Sequence, residues 1–170
     1  MGLFGGKRLD SLEDLLIDQL KDLYDAEQRI TKALPKMAAA AHSPSLKTAF
    51  LDHLRETEGQ IVRLERVFTS LGKTASAVTC QAMKGLIAEG DEAVAAEGDP
   101  AVKDAALIAA AQRVEHYEMA GYGCVRTFAR QLGKTEAAQL LQETLDEEGA
   151  TDKKLTALAE MSINRDAKLA

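Results

Sequence analysis

The sequence predicts an all-α fold, an antiparallel four-helix bundle with one long crossover. Three observations carry this. Apolar residues recur at helical spacing over four long stretches. Only 12 Gly and 3 Pro interrupt 170 residues, so the breaks between stretches are few and well placed. Alanine, leucine and glutamate are common and Trp is absent, a profile of strong helix formers. No strand pattern of period two survives inspection.

The first helix is expected over residues 10–41. Ser11 or Asp10 can cap it, and Glu13 and Asp14 suit its positive end. Leu16, Leu20, Leu23, Ile30 and Leu34 form its stripe; Pro35 predicts a kink or an early end. Ser43 and Pro44 read as cap and first position of a second helix over 44–71, with Leu46, Phe50, Leu54, Ile61, Leu64 and Phe68 on one face. A connector, residues 72–99, carries a shorter helix over about 78–96. Asp99 and Pro100 start a helix over 100–131, and Thr135 is the expected cap of a last helix over 136–161, beyond which the tail frays. The pairs 10–71 and 100–161 have short turns and read as hairpins; the long connection between them spans a bundle. That is ferritin-like connectivity within a single domain, 1–170.

Composition excludes several function classes. The net charge of −6 argues against nucleic acid as a partner. No apolar run approaches the ~20 residues of a membrane span, and the opening "MGLFGGKRLD" is too short and broken for a secretory signal. Gly2 begins a myristoylation pattern that Gly6, standing where Ser or Thr is required, breaks. Cys80 and Cys124 lack CxxC spacing and read as reduced thiols of a cytoplasmic protein.

The chemistry lies where the stripes are broken. Glu27 falls at the centre of the first apolar stripe, within about 60° of its leucines at ~100° per residue. An offset of 91 residues aligns the two halves without gaps, placing Glu27 on Glu118 and Glu56 on Glu147. Glu27 precedes the first turn at His42 by 15 residues and Glu56 follows it by 14; Glu118 and Glu147 flank Gly133 in the same way. At ~1.5 Å per residue each hairpin brings its two glutamates to about the same level, which reads as a polar layer through mid-bundle. Glu148 lies nearer its stripe centre than Glu147, but the repeat selects Glu147.

Four buried carboxylates cannot all stay ionised unaided. Lys21, Arg29, Lys32, Arg55, Arg66, Arg113 and Lys153 point away from the buried centre and Arg126 lies on a flank, so basic residues look unavailable. Shared protons could neutralise the layer but leave four buried acids as a costly core; metal coordination is the economical answer, and an oxygen-rich donor set suits iron, with manganese as the alternative. Bundles of this type hold such ions in pairs.

The segments "LYDAEQRI", "HLRETEGQIVRLERVF", "RVEHYEMAGYG" and "ETLDEEGATDKKL" together resemble the YciE/YciF-type bacterial stress proteins, a ferritin-like family related in fold to rubrerythrins. The resemblance covers nearly the whole chain. It implies a dinuclear metal site, two ions per chain, a role in stress response and a homodimer. Ferritin-like sites commonly use Glu-x-x-His on the second and fourth helices; here Gly59 and Ala150 occupy the histidine positions. His53, one turn before Glu56, and Gln60 are the substitutes, and Glu115, one turn before Glu118, makes a Glu-x-x-Glu similar to the rubrerythrin arrangement. Tyr24 takes the place relative to Glu27 that Glu115 takes relative to Glu118, so it is placed to bond a ligand; Tyr117 and Tyr122 read as packing residues. The expected metal set is Glu27, Glu56, Glu118, Glu147, His53 and Glu115. Two functions follow: a dinuclear iron or manganese protein that reacts with peroxide or dioxygen, or a structural bundle whose site is vestigial.

Overall fold

A computed structural model describes residues 8–170; Gly2 and Gly6, and with them the myristoylation reading and most of the opening segment, lie outside the described residues. Among these residues the regular structure is entirely helical: α1 (Leu12–Ala40), α2 (Pro44–Ser70), α3 (Gln81–Ala95), α4 (Pro100–Gln131) and α5 (Thr135–Leu158), then a π-helical turn (Ala159–Ile163) and α6 (Asn164–Ala167). None of the helices is long and apolar enough to cross a membrane.

The starts follow from capping chemistry. Ser11 Oγ accepts from the Asp14 amide, Ser43 Oγ from Leu46, and Asp99 Oδ1 from Ala101 and Val102, each satisfying an orphan donor of a first turn. The predicted cap at Thr135 is corrected. Thr135 is already helical, and Lys134 stands before it with no side-chain cap. The α4–α5 turn is so short that the reversal completes at Gly133, whose φ of 69° only glycine adopts cheaply. Gly72 repeats that φ at the end of α2. Pro35 does not end α1, which continues to Ala40. The tail does not fray directly after α5 either, because Ala159 and Ile163 in the π turn are buried in the core.

The hairpins α1–α2 and α4–α5 pack together through α1 with α4 and α2 with α5, giving the ring order α1–α2–α5–α4. Helix α3 lies outside the ring against α1 and α4. Buried Asp104 of α4 accepts from the amides of His42 (2.8 Å) and Ser43 (2.7 Å), tying the first turn to the second hairpin. Two apolar clusters fill the bundle. One includes Ile30, Leu34, Leu46, Phe50, Leu107 and Leu155; the other includes Leu16, Leu20, Leu64, Phe68, Val125 and Leu141. On every long helix the two clusters use opposite ends. Between them, near mid-helix, lies a polar layer.

Candidate metal centre

Each ring helix delivers an acid or imidazole to the layer, because a polar residue replaces one turn of its apolar stripe. Glu27 comes from α1, His53 from α2, Glu115 and Glu118 from α4 and Glu148 from α5, and all five are buried. His53, Glu115, Glu118 and Glu148 each offer one donor atom within 4.8 Å of the others. His53 Nε2 lies 3.3 Å from Glu115 Oε1 and 3.9 Å from Glu148 Oε2. Glu27 adjoins the group and is held by the Tyr122 hydroxyl, which donates to its Oε1.

The donors face inward without protein partners. Glu27 Oε2, His53 Nε2, Glu115 Oε2 and both carboxylate oxygens of Glu118 and of Glu148 are buried with no hydrogen bond. Unmet buried acceptors at this density are costly unless a cation or protons occupy their focus. Burial, opposed by the Tyr122 hydrogen bond, pushes the Glu27 carboxyl up to about 7. Burial and the charge of Glu27 push Glu118 well above the carboxylate range, and burial with Glu115 does the same to Glu148. Burial alone would lower His53, but the Glu115 and Glu56 carboxylates outweigh it and its imidazole is held well above its ordinary value. The residues therefore fit a metal cation, with oxygen donors and one nitrogen.

The structure brings together Glu27, His53, Glu115 and Glu118 of the expected set. Glu56 and Glu147 lie on the exposed α2–α5 seam instead. Glu56 Oε2 sits 3.4 Å from His53 Nδ1, a partnership that draws its carboxyl below the usual range and leaves Nε2 pointing inward. This is the carboxylate–histidine pairing that orients an imidazole toward a metal. Glu147 is gripped by Arg63, whose Nη1 and Nη2 both lie 2.7 Å from its oxygens, and Gln60 Nε2 donates to it at 3.1 Å. The reading that no basic residue is available to the four expected carboxylates is thereby corrected. Arg63 sits on the flank of α2, and the length of its side chain carries the guanidinium where a helical wheel does not place it.

Glu148, on the neighbouring position of α5, occupies the buried point that the repeat had assigned to Glu147. Its place at the stripe centre was the available signal. The repeat itself persists in the seam. Under the offset of 91, His53 maps to Thr144, Gln60 to Thr151 and Arg63 to Lys154. Correspondingly, Glu56 takes contacts from His53 and Thr151 and feels Lys154, while Glu147 takes them from Gln60 and Arg63. Tyr24 is also corrected: it donates to Glu65 at 2.8 Å, away from the layer, and Tyr122 is the tyrosine that holds a site carboxylate. Tyr122 sits four residues after Glu118, on the same face of α4, which is the signal a wheel contains.

The model of the family described as a domain of unknown function (DUF892) matches residues 11–168. The chain belongs to this family. Protein YciF of Escherichia coli strain K12 is 48% identical over 161 residues, covering 94% of this chain and 97% of that protein. The crystal structure of the E. coli stress protein YciF matches with a TM-score of 0.89 over 92% of this chain and 99% of that one. YcfI of Rhodopseudomonas palustris, provisionally called a structural protein, matches at 45% identity and a TM-score of 0.86 over 90% and 98%. A protein of Xanthomonas campestris pv. campestris, at 22% identity and a TM-score of 0.72 over 93% and 97%, shares the fold. This DUF892 member thus has the ferritin-like all-α fold, resembles the E. coli stress protein YciF over nearly its whole length and carries a buried His/Glu group that can hold a metal ion.

Proposed function

We propose that the buried layer binds a pair of iron ions, with manganese as the alternative, and that the protein acts in stress protection through reaction of the reduced pair with peroxide or dioxygen. One observation carries the reading: His53, Glu115, Glu118 and Glu148 converge in a buried space with their inward oxygens unpartnered. His53, Glu115, Glu118, Glu148 and Glu27 would be the ligands, and a metal held there would supply one-electron chemistry toward an oxidant. The chain's own residues do the rest. Glu56 sets the imidazole of His53, Tyr122 orients Glu27, and the two apolar clusters keep water out from above and below. Two free thiols, buried Cys80 and exposed Cys124, suit a reducing cytoplasm, and a homodimer is the proposed assembly.

Metal analysis of protein purified without chelator and then reconstituted with ferrous or manganous ions tests this. Retention of less than about one ion per chain would overturn it. Anomalous scattering at the iron and manganese edges would identify metal and ligands together.

A second reading, a structural bundle with a relic site, is supported by Arg63, which neutralises a carboxylate that would otherwise be free to serve a metal. Under it, Glu118→Leu raises the melting temperature and leaves survival of peroxide-treated cells unchanged. Under the metal reading the same change abolishes metal retention and costs survival.

A further inference from the structure

Helix α3 covers a small cavity of about 30 Å³ between itself, α1 and α4. Its wall is apolar, with Ile30 and Met37 from α1, Leu86 and Gly90 from α3 and Val114 from α4, and one side is formed by the site carboxylate Glu115. The space is large enough for one or two water-sized molecules; only its Glu115 edge offers water a partner, and the rest of the wall is of the apolar kind that accepts small apolar guests. Gly90 is buried, and a side chain built on it would meet no atom within 4 Å, so α3 leaves this space open where almost any other residue would close it. On its outer side Lys36 and Asp91 bridge α1 to α3 at 3.1 Å. A second, smaller cavity meets Glu115 from the α2–α5 side; Leu34, Phe50 and Leu155 make most of its wall, and His53, Glu56, Thr151 and Lys154 add polar groups to it. Glu115 therefore stands between a space with almost no polar wall on one side and one that includes the polar groups of the seam on the other.

We infer that the cavity beneath α3 is a binding site for a small apolar molecule, dioxygen, held against the Glu115 side of the layer. Its purpose rests on the metal reading above; its occupancy does not. A polar reactant such as peroxide is matched instead by the seam side, where a hydroxyl, an imidazole and an ammonium line the approach.

The test uses the metal-free full-length protein, which contains no paramagnetic centre. Methyl relaxation is recorded by NMR under dissolved dioxygen and under nitrogen at equal pressure. Expected is excess relaxation at the buried Ile30 and Met37 over the buried Leu20 and Leu64 of the other cluster, and at the half-buried Leu86 and Val114 over Ile17 and Leu145, which are half-buried against that other cluster. Gly90→Leu should abolish the excess. If that variant folds poorly, Ala33→Leu fills the same space from α1. Equal relaxation in the two clusters would overturn the site. In the iron-loaded protein, the filled variant should slow reaction with dioxygen and leave reaction with peroxide unchanged; equal slowing of both, or of neither, would overturn the delivery role. If the iron-loaded wild type reacts with neither oxidant while the methyl excess persists, the site stands and the metal chemistry falls.

Discussion

Stripped of metal, the protein should lose stability as pH rises from 5 to 8. The Glu27 carboxyl titrates near 4.5 when the chain is unfolded and at about 7 when folded. Between those values the folded state holds the extra proton, so stability is fully present below pH 4.5 and drains away as pH rises through 7. A group moved from 4.5 to about 7 forfeits about 2.5 kcal/mol between pH 5 and pH 8. For a chain of this size that is a fall of roughly 5–10 °C in melting temperature. Glu118 and Glu148, raised by burial and mutual charge, and His53, raised by its carboxylate neighbours, all contribute with the same sign. Bound metal replaces the protons and should remove the dependence. The assay is calorimetry of chelator-treated protein across pH 5–8, beside Glu27→Gln and a metal-loaded sample. Glu27→Gln should gain on the wild type as pH rises. A metal-free melting temperature that is flat or rises over this range, with no relative gain for Glu27→Gln, would refute the picture of a charged, unmet layer.

Adjacent glutamates on α5 should separate cleanly. Glu148→Gln should weaken metal binding by one to two orders of magnitude or more in titration calorimetry. Glu147→Gln should leave that affinity nearly intact while costing about 1–2 kcal/mol of stability in urea unfolding, because it strips the half-buried Arg63 of its bidentate partner. Tyr122→Phe removes the donor to Glu27 and should cost about 1 kcal/mol in the metal-free protein and roughly tenfold or more in metal affinity. Gly90→Ala in α3 places a methyl in open space and improves helix propensity, so thermal unfolding should show a gain of about 0.5–1 kcal/mol; a loss would mean the cavity wall is tighter than its geometry indicates.

The helices were legible because their signals are local. Ser11, Ser43 and Asp99 cap where the pattern places them, and α4 spans the expected residues, since hydrogen bonds to a first turn need only residues a few positions apart. Pro35 misled because tertiary packing holds α1 helical past a residue that an isolated helix would treat as a stop; Met37 and Ala38 beyond it are buried. The repeat located the level of the polar layer, and Glu27 and Glu118 are fully buried within it.

What the sequence by itself determined is the bundle, its connectivity and the presence of an acidic layer at mid-height. Those depend on periodicity, turn length and the rarity of carboxylates in an apolar stripe. Only the tertiary structure decided which carboxylates turn inward. Glu147 and Glu148 differ by one position, about 100° on a helix, and the choice between them depends on how α5 is rotated against α2. Arg63 and Gln60 of α2 draw Glu147 to the seam from across the helix interface, while Tyr122 reaches Glu27 from a helix 95 residues away. Such contacts are set by the packing of whole helices, and no local pattern in either partner contains them.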